Sequence, residues 1–438
     1  MGFIRIIEGC EFETCFASLR SGTGDESDET GVNAVVNEII AAVRAEGDAA
    51  VRRYAARFDK CVPAKFEVPI EAAKEAWESL QSDEPALAAS LTLAEDHIRR
   101  FAELQKEQVK DFEHEMAPGL FTGQRVIPVE RAAVYVPAGR FPLISSALMG
   151  LVPAAVAGVG ERLLVSPPGE GGLPDRRILA AGYLAGADRC FALGGAQAIA
   201  ALAFGTETIP RADLIAGPGN KYVTAAKRLL FGEVGIDFAA GPTDVLIITD
   251  KSAGNADLIA ADMLAQAEHD PDARARALVP DREMAELLER SLEKRLATLA
   301  TAATARASLE AGGLIIIYRT KEEAISIANR IAPEHLELHV SSPKDWVSGF
   351  RNFGTLFMGS QAAEVLGDYT AGINHTLPTS GAARFSGGLS VRNFLKIVTT
   401  LRSAEGEGYA EALDAAQNIA GAEELAAHAE SAAIRKAE

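Results

Sequence analysis

Thiols are scarce in this sequence. Four cysteines, at positions 10, 15, 61 and 190, serve 438 residues, and no two form a CxxC pair. That excludes a disulfide framework and a cysteine zinc knuckle, and fits free thiols in a reducing compartment. Positive charge is also in short supply. A formal net charge of −18 excludes general affinity for nucleic acid or anionic membrane, which needs clustered Lys and Arg to neutralise phosphate. The longest apolar stretch, Ala147–Gly158, is too short and too interrupted by proline to cross a bilayer. The N-terminus, MGFIRIIEGCEFETC, lacks the basic segment and long apolar run of a signal peptide. These absences predict a soluble, cytoplasmic chain. Two nucleotide fingerprints are missing as well. There is no Walker GxxxxGK[ST], and the nearest glycine-rich candidate, Gly158-Val-Gly160-Glu-Arg-Leu163, lacks the third glycine and follows a helix rather than a strand.

At this length more than one hydrophobic core is expected. After an acidic stretch at Ser21–Glu29, Val35, Val36, Ile39, Ile40 and Val43 recur at helical spacing. Gly47-Asp48 ends that helix and opens a second with Val51, Tyr54, Ala55 and Phe58 on one face. A third helix is predicted over Ala86–Lys110. From about residue 126 short apolar runs suited to buried strands alternate with helical patterns. The strands fall at Ala132–Val136, Leu163–Ser166, Cys190–Leu193, Asp213–Ala216 and Val245–Thr249, then at Ala277–Val279, Leu314–Tyr318, Leu336–Val340 and Thr355–Met358. The intervening helices cover Ser146–Ala157, Asp175–Ala185, Ala196–Phe204 and Lys221–Phe231. Such alternation means α/β architecture, with two doubly wound parallel sheets and ligands at the carboxyl ends of strands. The last fifty residues, rich in Ala and Glu, read as helix.

Chemistry concentrates around the histidines, of which there are only seven. Gln266-Ala-Glu-His269-Asp ends an apolar-periodic helix that starts near Ala256. Gln266 and His269 share one face of its last turn, where amide oxygen and imidazole reach a common metal ion. A lone His there would equally well sit idle against the helix dipole. Ala332-Pro-Glu334-His335 joins a helix to a strand and offers a carboxylate and an imidazole as general bases; taken singly, it is also an ordinary turn. His339 reads as a sheet-surface residue. Gly367-Asp368-Tyr369 and Asn374-His375 crowd one loop, and Glu423 with His428 lies in the tail. Gln266, His269, Asp368 and His428 together form a donor set of oxygen and nitrogen without thiolate. That set suits Zn²⁺ or Mn²⁺ in a catalytic site, although spacing does not show that the four meet.

These motifs in this order resemble the histidinol dehydrogenase family, from about Val32 to Arg435. Gly194-Gly-Ala-Gln197-Ala-Ile-Ala-Ala-Leu-Ala-Phe-Gly-Thr, Gly217-Pro-Gly-Asn220 and Ile236-Asp-Phe-Ala-Ala-Gly-Pro242 carry the likeness further. The resemblance implies a homodimer with two incomplete Rossmann-like domains, one Zn²⁺ per site, and two successive NAD-dependent oxidations of L-histidinol. It implies Gln266, His269, Asp368 and His428 as zinc ligands, the last donated by the neighbouring subunit. His335 would take the proton as hydride leaves, and Glu334 would activate water. Tyr135, Gln197 and Asn220 match the NAD-contacting positions. Thr243, His375 and Glu423 match the substrate pocket, which also includes the ligands and His335. Along the chain this implies an N-terminal segment (1–25), a first Rossmann-like domain with the zinc and catalytic residues (26–133 and 243–389), a second with the NAD contacts (134–242), and a helical tail reaching the partner (390–438).

Two departures stand out. The family's Gly-Pro-Ser-Glu is here Gly241-Pro-Thr243-Asp244, and Tyr135-Val-Pro-Ala138-Gly-Arg140 replaces a paired glycine. Both resemble a paralogous branch that oxidises sulfopropanediol, where Arg140 would meet an anionic group. Three readings are therefore carried forward: histidinol oxidation, the same chemistry on another small polar alcohol such as sulfopropanediol, and a catalytically silent metal- or nucleotide-binding homologue.

Overall fold

In the computed structural model, residues 3–21, 26–59, 61–138, 142–238 and 241–436 are described. Arg140 lies outside them, and so do residues 22–25 of the acidic stretch; helix begins at Glu26.

Two six-stranded sheets share one strand order. The first runs β1 (Arg5–Glu8), β12 (Leu314–Ile317), β11 (Arg274–Val279), β10 (Asp244–Thr249), β13 (His335–His339), β14 (Thr355–Met358), all parallel. The second runs β2 (Glu67–Val68), β7 (Arg189–Ala192), β6 (Glu161–Ser166), β5 (Arg131–Tyr135), β8 (Leu214–Ala216), β9 (Gly235–Ile236), parallel except for β2. In each, the chain winds outward over three strands and then returns to the other side of the first. The switch points lie between β10 and β13 and between β5 and β8. The strands are nearly continuous Val, Ile, Leu and Ala because helices cover both faces. Side chains of β10 alternate accordingly: Val245 and Ile247 enter one core, Leu246 and Ile248 the other.

Three expectations need correction. Residues 26–133 do not join residues 243–389. Val36, Ile39, Val43, Val51 and Tyr54 pack with Leu163, Phe191 and Leu193 on one face of the second sheet. Leu80, Leu91 and Ile98 pack with Val134 and Leu164 on its other face. The apolar stripes of these helices are complementary to the second sheet, a matter of surface fit that periodicity does not reveal. Nor is the N-terminal segment separate, since β1 forms an edge of the first sheet. The tail is not wholly helical either. β15 (Leu395–Ser403) pairs antiparallel with β4 (Leu120–Pro128), which pairs with β3 (Phe112–Ala117). Composition averaged over fifty residues hid the β-branched run Ile397-Val-Thr-Thr400. Helices Glu407–Ala422 and Ala426–Arg435 follow as expected.

The second switch point is locked by a buried ion pair. Lys227, on helix Lys221–Leu230, meets the Asp237 carboxylate with both side chains almost fully buried. Lys227 Nζ also donates to Gly217 O (2.9 Å), and Gly217 N donates to Asp237 Oδ2 (2.8 Å). The loop Gly217–Asn220 is thereby clamped against the end of β5. Gly217 is required there: its φ is 110°, and a Cβ would stand 2.1 Å from Tyr135 O. Removing one partner of a buried pair strands the other charge, so Lys227→Met is expected to destabilise the fold by about 3–5 kcal/mol in denaturant titrations. Adding Asp237→Asn is expected to restore part of that loss.

Candidate active site

A cavity of about 180 Å³ opens between the two sheets. The second sheet presents its carboxyl edge: Leu143, Ser145 and Ser146 follow β5, and Pro218 follows β8. The first sheet presents its amino edge: Thr243 precedes β10, Glu334 precedes β13, and His335 opens β13. The expectation of ligands at carboxyl ends therefore holds for one sheet and is reversed for the other.

Local sequence sets each group in place. Asn255 caps helix Ala256–Ala267 by accepting from Asp257 N and Leu258 N. The helix runs to Ala267, with Gln266 on its buried face and His269 just beyond its end, at the cavity mouth. Thr320 caps helix Lys321–Ile331 by accepting from Glu323 N. That helix ends at Ala332 in the left-handed region, φ 54°, an uncommon conformation for a residue with a Cβ. The turn delivers Glu334 and His335 to the strand edge. A third helix, Glu364–Tyr369, carries Glu364 and Asp368 four residues apart on one face.

Glu334 is buried. Its Oε2 lies 2.5 Å from Thr243 Oγ1 and accepts from Asp244 N at 3.1 Å. Burial pushes its carboxyl well above the usual range, and Asp244 and Asp368 add repulsion. His335 is only 3% exposed, and neither ring nitrogen has a hydrogen-bond partner. Nδ1 lies 3.6 Å from Glu364 Oε1, and Nε2 lies 3.9 Å from Asp368 Oδ1. Burial lowers its pKa to about 3, so at neutral pH the ring is uncharged. Burial also raises Asp368 to about 6 and Glu364 well above its usual value, the latter reinforced by neighbouring carboxylates. His375 closes the wall, its Nδ1 2.9 Å from Asp368 O and its Nε2 3.3 Å from Ser146 Oγ.

Ligand atoms of His269, Glu364 and Asp368 lie within 4.8 Å of one another. Gln266 joins them: its amide oxygen accepts from Thr243 Oγ1 (2.5 Å) and Asp244 N (3.0 Å), while its nitrogen donates to Glu364. The donor set is oxygen and nitrogen, anionic and poorly solvated, and a divalent ion such as zinc fits it.

Gln266, His269, Asp368, Glu334, His335, Thr243 and His375 thus converge. Glu423 and His428 do not: both are exposed on the tail, away from this cavity in the same chain. Tyr135, Gln197 and Asn220 form a separate group at the carboxyl edge of the second sheet. Tyr135 Oη accepts from Gly195 N (3.2 Å), and Asn220 caps helix Lys221–Leu230 through Tyr222 N and Val223 N. The buried Gln197 amide finds no partner of normal geometry beside Asp59, whose carboxyl burial raises to about 6. An unsatisfied amide at a switch point fits a polar dinucleotide. Sequence reasoning missed Glu364, although a carboxylate four residues before Asp368 was the signal. His339, expected on a sheet surface, is fully buried.

A family model described as histidinol dehydrogenase matches residues 23–436. Among curated relatives, the histidinol dehydrogenase of Methylococcus capsulatus is 45% identical over 413 residues, covering 94% of this chain and 93% of that one. That of Thermus thermophilus is 46% identical over 413 residues, covering 92% and 95%. The crystal structure of histidinol dehydrogenase from Elizabethkingia anophelis superposes with a TM-score of 0.90 at 32% identity, covering 99% and 98%.

A carboxyl whose proton affinity rises on folding loses stability as pH climbs above its unfolded value. Glu334→Gln has no ionised form. In metal-free protein at pH 7 it is expected to raise the free energy of unfolding by roughly 1 kcal/mol. Unchanged or lower stability would show that Glu334 is held ionised by groups other than those named.

Proposed function

Because the chain belongs to the histidinol dehydrogenase family, we propose that this oxidoreductase, acting on CH–OH, converts L-histidinol through the aldehyde to L-histidine, with Zn²⁺ and NAD, as a cytoplasmic homodimer. The observation that carries the reading is the convergence of His269, Glu364, Asp368 and Gln266 beside an unpartnered, uncharged His335.

Zinc held by Gln266, His269 and Asp368, with His428 of the partner subunit, would orient and polarise the alcohol, and NAD at Tyr135, Gln197 and Asn220 would take up hydride. The residues of this chain do the rest. His335 accepts the hydroxyl proton as the C–H bond gives up its hydride, which leaves the aldehyde. Glu334, as a carboxylate, takes a proton from water as the water oxygen attacks the aldehyde carbon. His335 returns its proton to the former aldehyde oxygen, completing the hydrate, and, neutral again, accepts a hydroxyl proton as the hydrate's C–H bond gives up the second hydride, leaving the carboxylic acid. Thr243 holds Glu334 Oε2 in place, and His375, with Glu423 of the partner subunit, would line the substrate's polar end.

The dimer reading draws support from the tail. Leu401, Ile419 and Ile434 are exposed at 72%, 62% and 56%, apolar side chains that a second copy would cover. Four ligands with one from a neighbour would also explain why His428 sits far from the cavity in its own chain.

With Zn²⁺ and NAD⁺, the purified protein is expected to form two NADH per L-histidinol. NADH from sulfopropanediol and none from L-histidinol would move the substrate to that alcohol, and none from either would favour the silent homologue. Glu334→Gln and His335→Asn are expected to lower kcat by about 10²–10⁴-fold. His269→Ala is expected to lose bound zinc while its circular dichroism stays native. Mixed dimers of His428→Ala and Glu334→Ala chains are expected to regain activity that neither parent shows; persistent inactivity would refute exchange of the tail.

A further inference from the structure

Beneath the cavity lies a second set of polar groups that the reaction does not use. On β13, His335, Glu337 and His339 alternate along one face, toward helix Ala256–Ala267, while Leu336 and Leu338 enter the opposite core. Glu337 and His339 are fully buried. His339 Nε2 lies 3.0 Å from Glu337 Oε2 and 3.7 Å from Asp262 Oδ2. The other oxygen of the same carboxylate, Glu337 Oε1, accepts from Glu364 N at 2.8 Å. Asp262 stands one helical turn before Gln266 on helix Ala256–Ala267. Glu364 N is the first amide of the helix that carries Glu364 and Asp368.

We propose that Asp262, His339 and Glu337 form a brace that sets the separation of the two helices bearing the metal ligands, with Glu337 and His339 as positioning residues. The inference rests on the zinc reading above. Each link acts on backbone or on a side chain one turn from a ligand. Glu337 fixes the start of helix Glu364–Tyr369, His339 fixes Glu337, and Asp262 ties the pair to the helix of Gln266. A buried carboxylate and imidazole on one inner strand, flanked by β10 and β14, move little, so the ligand cage is held before an ion arrives. Groups that orient ligands in this way typically contribute 10–100-fold to metal affinity.

The test is zinc affinity of the full-length chain by chelator competition, a measurement that needs no turnover. Glu337→Met removes the acceptor for Glu364 N and is expected to weaken zinc binding 10–100-fold and to speed exchange of the Glu364 amide hydrogen. Glu337→Gln keeps an oxygen at that position and is expected to recover most of the affinity, a rescue that loss of stability alone would not produce. If Glu337→Met does not fold, Asp262→Asn, at the edge of the set, is expected to weaken zinc by several-fold. A folded Glu337→Met or Asp262→Asn with an unchanged competition curve would overturn the brace while leaving the zinc reading intact. Two zinc ions per wild-type chain, one lost in Glu337→Met, would overturn it by making the trio a ligand set. A wild-type chain that binds no zinc would remove both readings.

Discussion

Carboxylates taken out of water must find protons, donors or a cation, and the junction of the two sheets gathers more of them than its own donors satisfy. Glu334, Glu364 and Asp368 surround a cavity of about 180 Å³, and Glu337 lies directly beneath. Backbone amides of Asp244 and Glu364 each serve one carboxylate. Among the described residues, no lysine or arginine lines the cavity. The remaining negative charge is the constraint from which the site's other properties follow. It adds to the proton affinity that burial already raises, and it creates demand for a divalent ion. A neutral His335 is part of the same balance, because the ring is buried among acids yet bonded to none of them.

The architecture explains how such an arrangement is tolerated. Both sheets use the same strand order, but they face the cavity with opposite polarity. Carboxyl edges of parallel strands collect loops that bind ligands, and the second sheet follows this rule at Tyr135, Pro218 and Asn220. Amino edges are where helices return to the sheet. The first sheet therefore brings helix ends and strand starts together: Gln266 and His269 from one helix, Glu334 and His335 from the turn after another. Backbone at such a turn is short and stiff. Ala332, left-handed with a Cβ, concentrates strain where Glu334 and His335 are aimed, and strain of this kind persists only where surrounding structure fixes it.

Much of this was legible in the chain. Most strands of both sheets from Ala132 onward, several of the helices between them and the QAEH, PEH and GDY groups stand out by period or by composition, whereas strand Gly235–Ile236 and helices Arg282–Leu296 and Ala302–Gly312 were not read. What did not stand out depends on surfaces rather than on patterns. The helices of residues 26–106 carry apolar stripes that fit either sheet equally well on paper, and only shape assigns them to the second. β15 was masked by the Ala- and Glu-rich helices that follow it. Glu364 was passed over, although its spacing to Asp368 was a usable sign. His339 was read as exposed because alternation along His335-Leu-Glu-Leu-His339 resembles a half-buried strand. Its polar face is instead buried against helix Ala256–Ala267, and alternation cannot distinguish water from a polar interior.

That last ambiguity bears on why the polar interior exists at all. A sheet covered on both faces would gain stability from Val or Ile at Glu337 and His339, since replacing buried charged groups with apolar ones is often neutral or favourable. Retaining them makes sense if they hold something apolar groups could not. Apolar packing fixes helices to within the slack of side-chain rotamers, whereas a carboxylate bonded at 2.8 Å to a backbone amide fixes one atom. Metal coordination tolerates errors of only a few tenths of an ångström in ligand position. A site assembled from three separate helices and a strand edge therefore needs directional bonds beneath it, and the row His335, Glu337, His339 supplies them in one strand: the first residue for chemistry, the next two for geometry.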